Sequence, residues 1–216
     1  AQGSLSQLPK TPGAYILVDH DTGNVLASGN DRVAMPPASV TKLLTALVAQ
    51  VRIPDGQQVV ISENAARMPA MKIGVRQGDA WNKDDLLHAL MMVSANDAAV
   101  ALAEASGQNL AGFAQQRYDA ARELGLADSP VFNDPSGLDD ADSYAGGDRI
   151  SARDMAIIGR AALADPVVSK IAATQRYEFT GPDGKHVLKN HNLMLKNYSG
   201  AIGMKTGYTS KAHHTF

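Results

Sequence analysis

A mixed α/β (α+β) fold is predicted by three features of the chain: strand-like segments near both ends, a helical middle, and enough apolar residues, 44% of 216, to fill a sizeable core. The expected arrangement is one sheet made from both termini, about 1–57 and 165–216, with a helical region inserted at about 58–164, all within a single domain spanning 1–216.

In chain order, "AYILVDHDTGNVLASGN" has two β-forming runs separated by turn residues from Asp19 to Asn24, which predicts a hairpin. Pro36 and Pro37 stop the strand. Leu43, Leu44, Leu47, Val48 and Val51 then recur at helical spacing, which predicts a buried helix with Ser39 in its first turn. Asp55 to Asp79 reads as a polar, glycine-containing connection, and Asn82 to Met92 as a helix whose Asp84 and Asp85 suit its positive end. "VSAN" interrupts that helix. Asp97 to Ala105 and Asn109 to Leu124 continue as helices, the second ended by Gly125. "VFNDPSGLDDADSYAGGDR" is a long loop, and long loops in compact domains are often functional. Its aspartates are expected to be solvated or to cap turns. Ser151 followed by Asp154 opens a helix to Ala164, and strands return at "RYEFTG" and, after a turn at "PDGK", at "HVLKN", which predicts a second hairpin, and finally at "AIGMKTGYTS".

Composition excludes several classes of partner. A formal charge of −2 without a Lys/Arg run gives no footprint for nucleic acid or an anionic membrane. The absence of cysteine removes disulfides and thiolate metal sites. No apolar run reaches the roughly 18 residues needed to span a bilayer, and "AQGSLSQLPKTPG" lacks the order of a signal peptide, so a soluble or processed form without a membrane anchor is expected. The histidines are scattered; the adjacent pair His213 and His214 would face opposite sides of a strand, so no metal site is expected.

Three short motifs carry chemistry. Ser39 and Lys42, three positions apart, share a helix face, so the amine can reach the hydroxyl and serve as its base once its pKa is lowered. An isolated S-x-x-K is nevertheless expected about once by chance in a chain this long. Ser94 and Asn96 project from a break between helices, and Lys205, Thr206 and Gly207 lie on a predicted strand where glycine permits close backbone approach. Alone, Ser94 and Asn96 read more readily as ordinary turn residues, and a lone K-T-G reads equally well as an edge-strand lysine before a turn. Together, in the order S-x-x-K, S-x-N, K-T-G, they match the motif set of class A β-lactamases and penicillin-binding proteins, which acylate an active-site serine.

With "PPASVTKLLTALV", "VSANDAAVALAE", "FNDPSGLD", "SARDMAIIGRAAL" and "MKTGYTSKA" in the same order, the chain resembles the D-alanyl-D-alanine carboxypeptidases, the low-molecular-weight penicillin-binding proteins, over nearly its whole length. The resemblance implies a β-lactamase/penicillin-binding-protein transpeptidase-like fold with the active site between the sheet and helical regions. It also implies that Ser39 is the acylated nucleophile, Lys42 its base and Ser94 the proton relay to the leaving D-alanine. Asn96 would hold the substrate peptide, Lys205 and Thr206 its terminal carboxylate, and the amides of Ser39 and Tyr208 the oxyanion, beside Gly207. The implied substrate is the peptidoglycan stem pentapeptide, met outside the cytoplasmic membrane, with β-lactams as covalent inhibitors and no cofactor.

Two alternatives share the motifs. A class A β-lactamase deacylates with a loop glutamate, but no glutamate occurs between Leu124 and Tyr177. A penicillin-binding sensor without turnover is kept open by His213, which stands where the family commonly has glycine. The sequence also stops at Phe216, where the family continues with further strands, a basic residue and a closing helix, so this stretch is expected to be less stable than a complete domain.

Overall fold

The computed structural model describes residues 12–139, 142–143 and 145–216. It begins with the expected hairpin, β1 (Tyr15–Val18) and β2 (Val25–Gly29), in antiparallel register from Tyr15 opposite Gly29 to Val18 opposite Val25. The turn is fixed by Asp19, whose carboxylate accepts from Thr22 N at 2.8 Å and Thr22 Oγ1 at 2.6 Å.

After the hairpin, a 3-10 turn (Ala38–Thr41) leads into α1 (Lys42–Arg52). Ser39 therefore lies in a tighter turn ahead of the α-helix, not in the helix's own first turn as expected. Leu43, Leu44, Ala46, Val48 and Ala49 are buried, so the helical periodicity reports a core-facing stripe. α1 packs against α3 (Lys83–Met92), α4 (Asn96–Gly107), α5 (Leu110–Leu124), α6 (Ala152–Ala164) and α7 (Pro166–Ala173). Residues Ala98 to Ala103 of α4 are all at most 1% exposed. Small side chains let the neighbouring helices close around it.

Helix starts follow their caps. Asn82 Oδ1 accepts from Asp84 N at 2.8 Å, Asn109 Oδ1 from Gly112 N at 2.8 Å, and Ser151 Oγ from Asp154 N at 3.0 Å. Gly125 ends α5 in the left-handed conformation expected of a helix stop.

The connection from Asp55 to Asp79 contains more structure than expected. β3 (Gln58–Val60) pairs with β4 (Ala80–Asn82), and α2 (Glu63–Ala66) lies between them. Val59 and Trp81 face the core while Val60 is 69% exposed, but three-residue strands are too short to give a visible alternation. α7 was also not anticipated, although Asp165 caps Val167 N and Val168 N at 2.9 and 2.8 Å and Pro166 occupies the first turn.

β5 (Arg176–Gly181) and β6 (Gly184–Lys189) form the expected second hairpin. Its Phe179 and His186 pack against Trp81, and Tyr177 stacks on His88 while its hydroxyl donates to Asp85 at 2.8 Å. A short helix, α8 (Met194–Asn197), precedes β7 (Gly207–Thr209) and β8 (His213–Thr215).

The expectation of one sheet from both termini is corrected. Among the described residues the strands form four separate antiparallel pairs, β1–β2, β3–β4, β5–β6 and β7–β8. β1 packs on α6, whereas β7 and β8 pack on the 3-10 turn, and no backbone ladder joins the two hairpins. The strand expected through "AIGMKTGYTS" is likewise shorter, because β8 faces only Gly207, Tyr208 and Thr209; Lys205 and Thr206 precede β7 outside any strand.

Candidate active site

The site is built around the start of α1. Ala38, immediately before the candidate nucleophile, has φ 50°, a conformation that costs a non-glycine residue about 1–3 kcal/mol and that surrounding structure must enforce. Ser39 is half-buried and Lys42 fully buried. Lys42 Nζ lies 3.0 Å from Ser39 Oγ, 2.8 Å from Asn96 Oδ1 and 2.6 Å from the Ser136 carbonyl oxygen.

These distances have a chemical consequence. Burial, followed by the nearby positive charge of Lys205, holds Lys42 well below the ordinary lysine range, against the opposing charges of Asp134 and Asp97. A neutral amine has two N–H groups and one lone pair. Two of its three partners, the Asn96 and Ser136 oxygens, can only accept, so they take both N–H groups and leave the lone pair for the Ser39 hydroxyl.

Ser94 and Asn96 come from the break between α3 and α4. Ser94 has φ 61° and is 7% exposed; Asn96 is 4% exposed at the first residue of α4. The Asn96 backbone N–H donates to Met71 O at 2.7 Å, and its Nδ2 donates to Pro69 O at 3.2 Å. The segment from Pro69 to Val75 therefore borders this side of the site.

The long loop supplies the third wall, and its ends are joined by an antiparallel bridge between Val131 and Arg149. Asp134 Oδ1 accepts from Ser136 N at 2.7 Å and Gly137 N at 3.0 Å, and also from the Ser136 hydroxyl, so the turn it caps presents the Ser136 carbonyl to Lys42. Gly137 is required there: a Cβ would meet the Ala38 carbonyl oxygen at 2.1 Å. Asp148 accepts from Asn133 N at 2.7 Å, Asp134 N at 2.9 Å and Thr41 Oγ1 at 2.6 Å, and pairs with Arg117 at 2.5 Å, all within the core. Arg117 also donates to the Asp134 carbonyl at 2.9 Å. One buried ion pair thus ties the turn that carries Ser39 to the loop that holds Lys42.

The loop aspartates divide by environment. Asp142 is exposed and Asp134 caps a turn, as expected, although that turn is buried; Asp139 and Asp148 are buried and tie the loop to other elements, and Asp140 lies outside the described residues. Asp139 accepts from Thr209 Oγ1 at 2.8 Å, Ser210 Oγ at 3.3 Å and Lys211 N at 3.0 Å, which ties the loop to the β7–β8 turn.

The K-T-G segment forms the remaining wall. Lys205 is 2% exposed, donates to the Thr206 carbonyl at 2.7 Å, and is pushed down to about 7 by burial. Gly207 stands directly against the Ser39 amide, while Thr206 is half-buried and the Tyr208 side chain is exposed beside His214. His213 is exposed at the first residue of β8 and does not fill the floor of the site. The fold brings Ser39, Lys42 and Asn96 into one hydrogen-bonded cluster, with Lys205 near enough to act on Lys42 and Gly207 against Ser39. Arg117, Asp134, Ser136 and Asp148 were not singled out as site residues by sequence; Asp134 and Ser136 lie in the segment "FNDPSGLD" and Asp148 in the long loop, whereas nothing in the sequence pointed to Arg117.

Comparison with known proteins gives the family and the fold. The family model for D-alanyl-D-alanine carboxypeptidase matches residues 3–216. D-alanyl-D-alanine carboxypeptidase DacB2 of Mycobacterium tuberculosis is 38% identical over 210 residues, 97% of this chain and 70% of the relative. DacF of Bacillus subtilis is 33% identical over 215 residues, 97% of this chain but 54% of the relative, so the chain spans about half the length of that protein. The crystal structure of a D-alanyl-D-alanine carboxypeptidase from Mycobacterium tuberculosis superposes with a TM-score of 0.88 at 35% identity, covering 95% of this chain and 76% of that one. A mutant Streptomyces K15 DD-transpeptidase gives a TM-score of 0.83 at 25% identity, covering 95% and 84%. The fold and the sequence likeness together place this chain: it belongs to the D-alanyl-D-alanine carboxypeptidase family of serine hydrolases.

Proposed function

We propose that this chain removes the terminal D-alanine from peptidoglycan stem peptides through an acyl-enzyme on Ser39. The observation that carries the reading is the pairing of Lys42 with Ser39 at 3.0 Å while two carbonyl oxygens occupy the amine's N–H groups. Ser39 Oγ attacks the carbonyl of the penultimate D-alanine as Lys42 takes its proton. The carbonyl oxygen gains negative charge between the amides of Ser39 and Tyr208, where preorganised donors act without reorganisation. Collapse of the tetrahedral intermediate breaks the C–N bond, and the proton passes through Ser94 to the leaving D-alanine nitrogen.

Asn96 holds the peptide, and Lys205 with Thr206 attracts the terminal carboxylate. Water then adds to the ester carbonyl as Lys42 accepts its proton, and Lys42 passes that proton to Ser39 Oγ as it is expelled, which returns the free enzyme. β-Lactams present a strained amide to the same nucleophile and acylate it. Peptidoglycan places the working enzyme outside the cytoplasmic membrane. Among the described residues, no helix is long and apolar enough to cross a membrane.

The test is release of D-alanine from a synthetic pentapeptide ending in D-alanyl-D-alanine, beside Ser39→Ala. Turnover lost in the variant supports the reading. A wild type that is acylated by benzylpenicillin yet releases no D-alanine makes the chain a sensor, and rapid hydrolysis of the penicillin makes it a β-lactamase.

A further inference from the structure

We infer that Asp97, outside the three motifs, is a positioning residue that fixes the segment from Pro69 to Val75 and thereby sets which way the Asn96 carboxamide faces. This rests on the reading of Asn96 as the residue that holds the substrate peptide. Asp97 is fully buried beside Asn96 in the first turn of α4. Its carboxylate accepts from three consecutive backbone amides: Ile73 N at 3.1 and 3.2 Å, Gly74 N at 2.8 Å and Val75 N at 3.2 Å. Ala98 N donates to it as well, at 2.9 Å. Such an array of N–H donors needs an acceptor with several lone pairs and no proton of its own, which an ionised carboxylate provides.

The segment held in this way returns two carbonyls to Asn96. Met71 O fixes its backbone N–H at 2.7 Å, and Pro69 O takes one hydrogen of Nδ2 at 3.2 Å. On its other side Oδ1 receives Lys42 Nζ at 2.8 Å. Reversing the carboxamide would set Nδ2 against the lysine's donor and Oδ1 against the proline carbonyl, losing both bonds and opposing like partners. The observed orientation is therefore enforced, and one Nδ2 hydrogen remains for a substrate carbonyl.

Asp97 also acts through charge. Lys42 is faced by Lys205, which lowers its proton affinity, by Asp134 and Asp97, which raise it, and by the neutral Ser39 and Asn96 side chains. Removing the Asp97 charge lowers the pH at which Lys42 becomes a base, a change that loss of packing alone does not predict.

Two variants separate position from charge. Asp97→Asn replaces an acceptor oxygen by an N–H donor facing the 73–75 amides and removes the charge; Asp97→Glu keeps the charge but displaces it by one methylene. For D-alanyl-D-alanine peptide hydrolysis, both should raise KM about tenfold or more, and only D97N should move the acid limb of kcat/KM to lower pH. A variant with wild-type KM and pH profile, or one that fails to fold while the other is fully active, overturns the proposal. A wild type without peptide turnover sinks the hydrolase reading separately. The rate and pH dependence of benzylpenicillin acylation of Ser39 then decide the Asp97 proposal on the same two variants, again with D97N alone shifting the acid limb.

Discussion

Gly207 stands so close to Ser39 that a Cβ built on it would lie 2.8 Å from the Ser39 nitrogen and 3.1 Å from the Ala38 Cβ. The strand and the Ser39 turn are thus closely apposed, as the proposed convergence of the Ser39 and Tyr208 amides on one oxygen requires. Gly207→Ala must push β7 away, since a backbone nitrogen cannot swing aside as the end of a flexible side chain can. The second-order rate of acylation by benzylpenicillin should fall by about 10²–10³-fold, the size of losing one oxyanion donor, with the far-UV circular dichroism unchanged. An unaltered rate would remove β7 from the oxyanion site.

Lys205 predicts how stability depends on pH. Its pKa is about 7 in the folded chain, against roughly 10.4 for an unperturbed lysine. Between those values the unfolded state holds a proton that the folded state lacks, so this residue makes stability rise with pH across the window. Lys42, also lowered, contributes with the same sign. Urea unfolding at about pH 7 and about pH 9.5, both inside that window, should show a smaller gain for Lys205→Met than for wild type; an equal gain would mean that Lys205 titrates normally.

The Arg117–Asp148 pair is 1% and 0% exposed at its two side chains. Removing one partner from such a pair leaves an uncompensated buried charge, which costs about 3–5 kcal/mol. Arg117→Met should therefore lower the free energy of unfolding by that amount, and adding Asp148→Asn should recover part of it. A cost below about 1 kcal/mol would show that the pair is not needed to hold the loop on α1.

Asp139 anchors the turn after β7 through Thr209, Ser210 and Lys211. Asp139→Ala should loosen the strand without displacing Ser39, reducing benzylpenicillin acylation by about tenfold, less than Gly207→Ala, on the scale of a lost charged hydrogen bond. A larger loss than that of Gly207→Ala would make the loop anchor, not the backbone contact at Gly207, the main determinant of where β7 lies.

The sequence was most legible where one local rule decides the structure. The α1 stripe, the caps at Asn82, Asn109 and Ser151, and the hairpins at Asp19–Asn24 and Pro182–Asp183 all follow from residue type and spacing. The three motifs were readable because each is a short string, and Ser39, Lys42 and Asn96 from two of them meet in one hydrogen-bonded cluster. Arg117, Ser136 and Asp148 were not, because their roles depend on partners distant in sequence, such as Lys42 for the Ser136 carbonyl and Thr41 for Asp148. The single sheet failed for a related reason: strand propensity predicts extended chain, but pairing depends on which element lies alongside, and β7 finds only β8.

The central claim is that Ser39 is the nucleophile. Intact-mass spectrometry of the chain with benzylpenicillin, followed by peptide mapping, tests it most directly. The predicted result is one adduct carrying the whole mass of the drug, since opening the lactam releases no fragment, located on the peptide containing Ser39 and absent from Ser39→Ala. An adduct that persists in Ser39→Ala, or no adduct on the wild type, would contradict it.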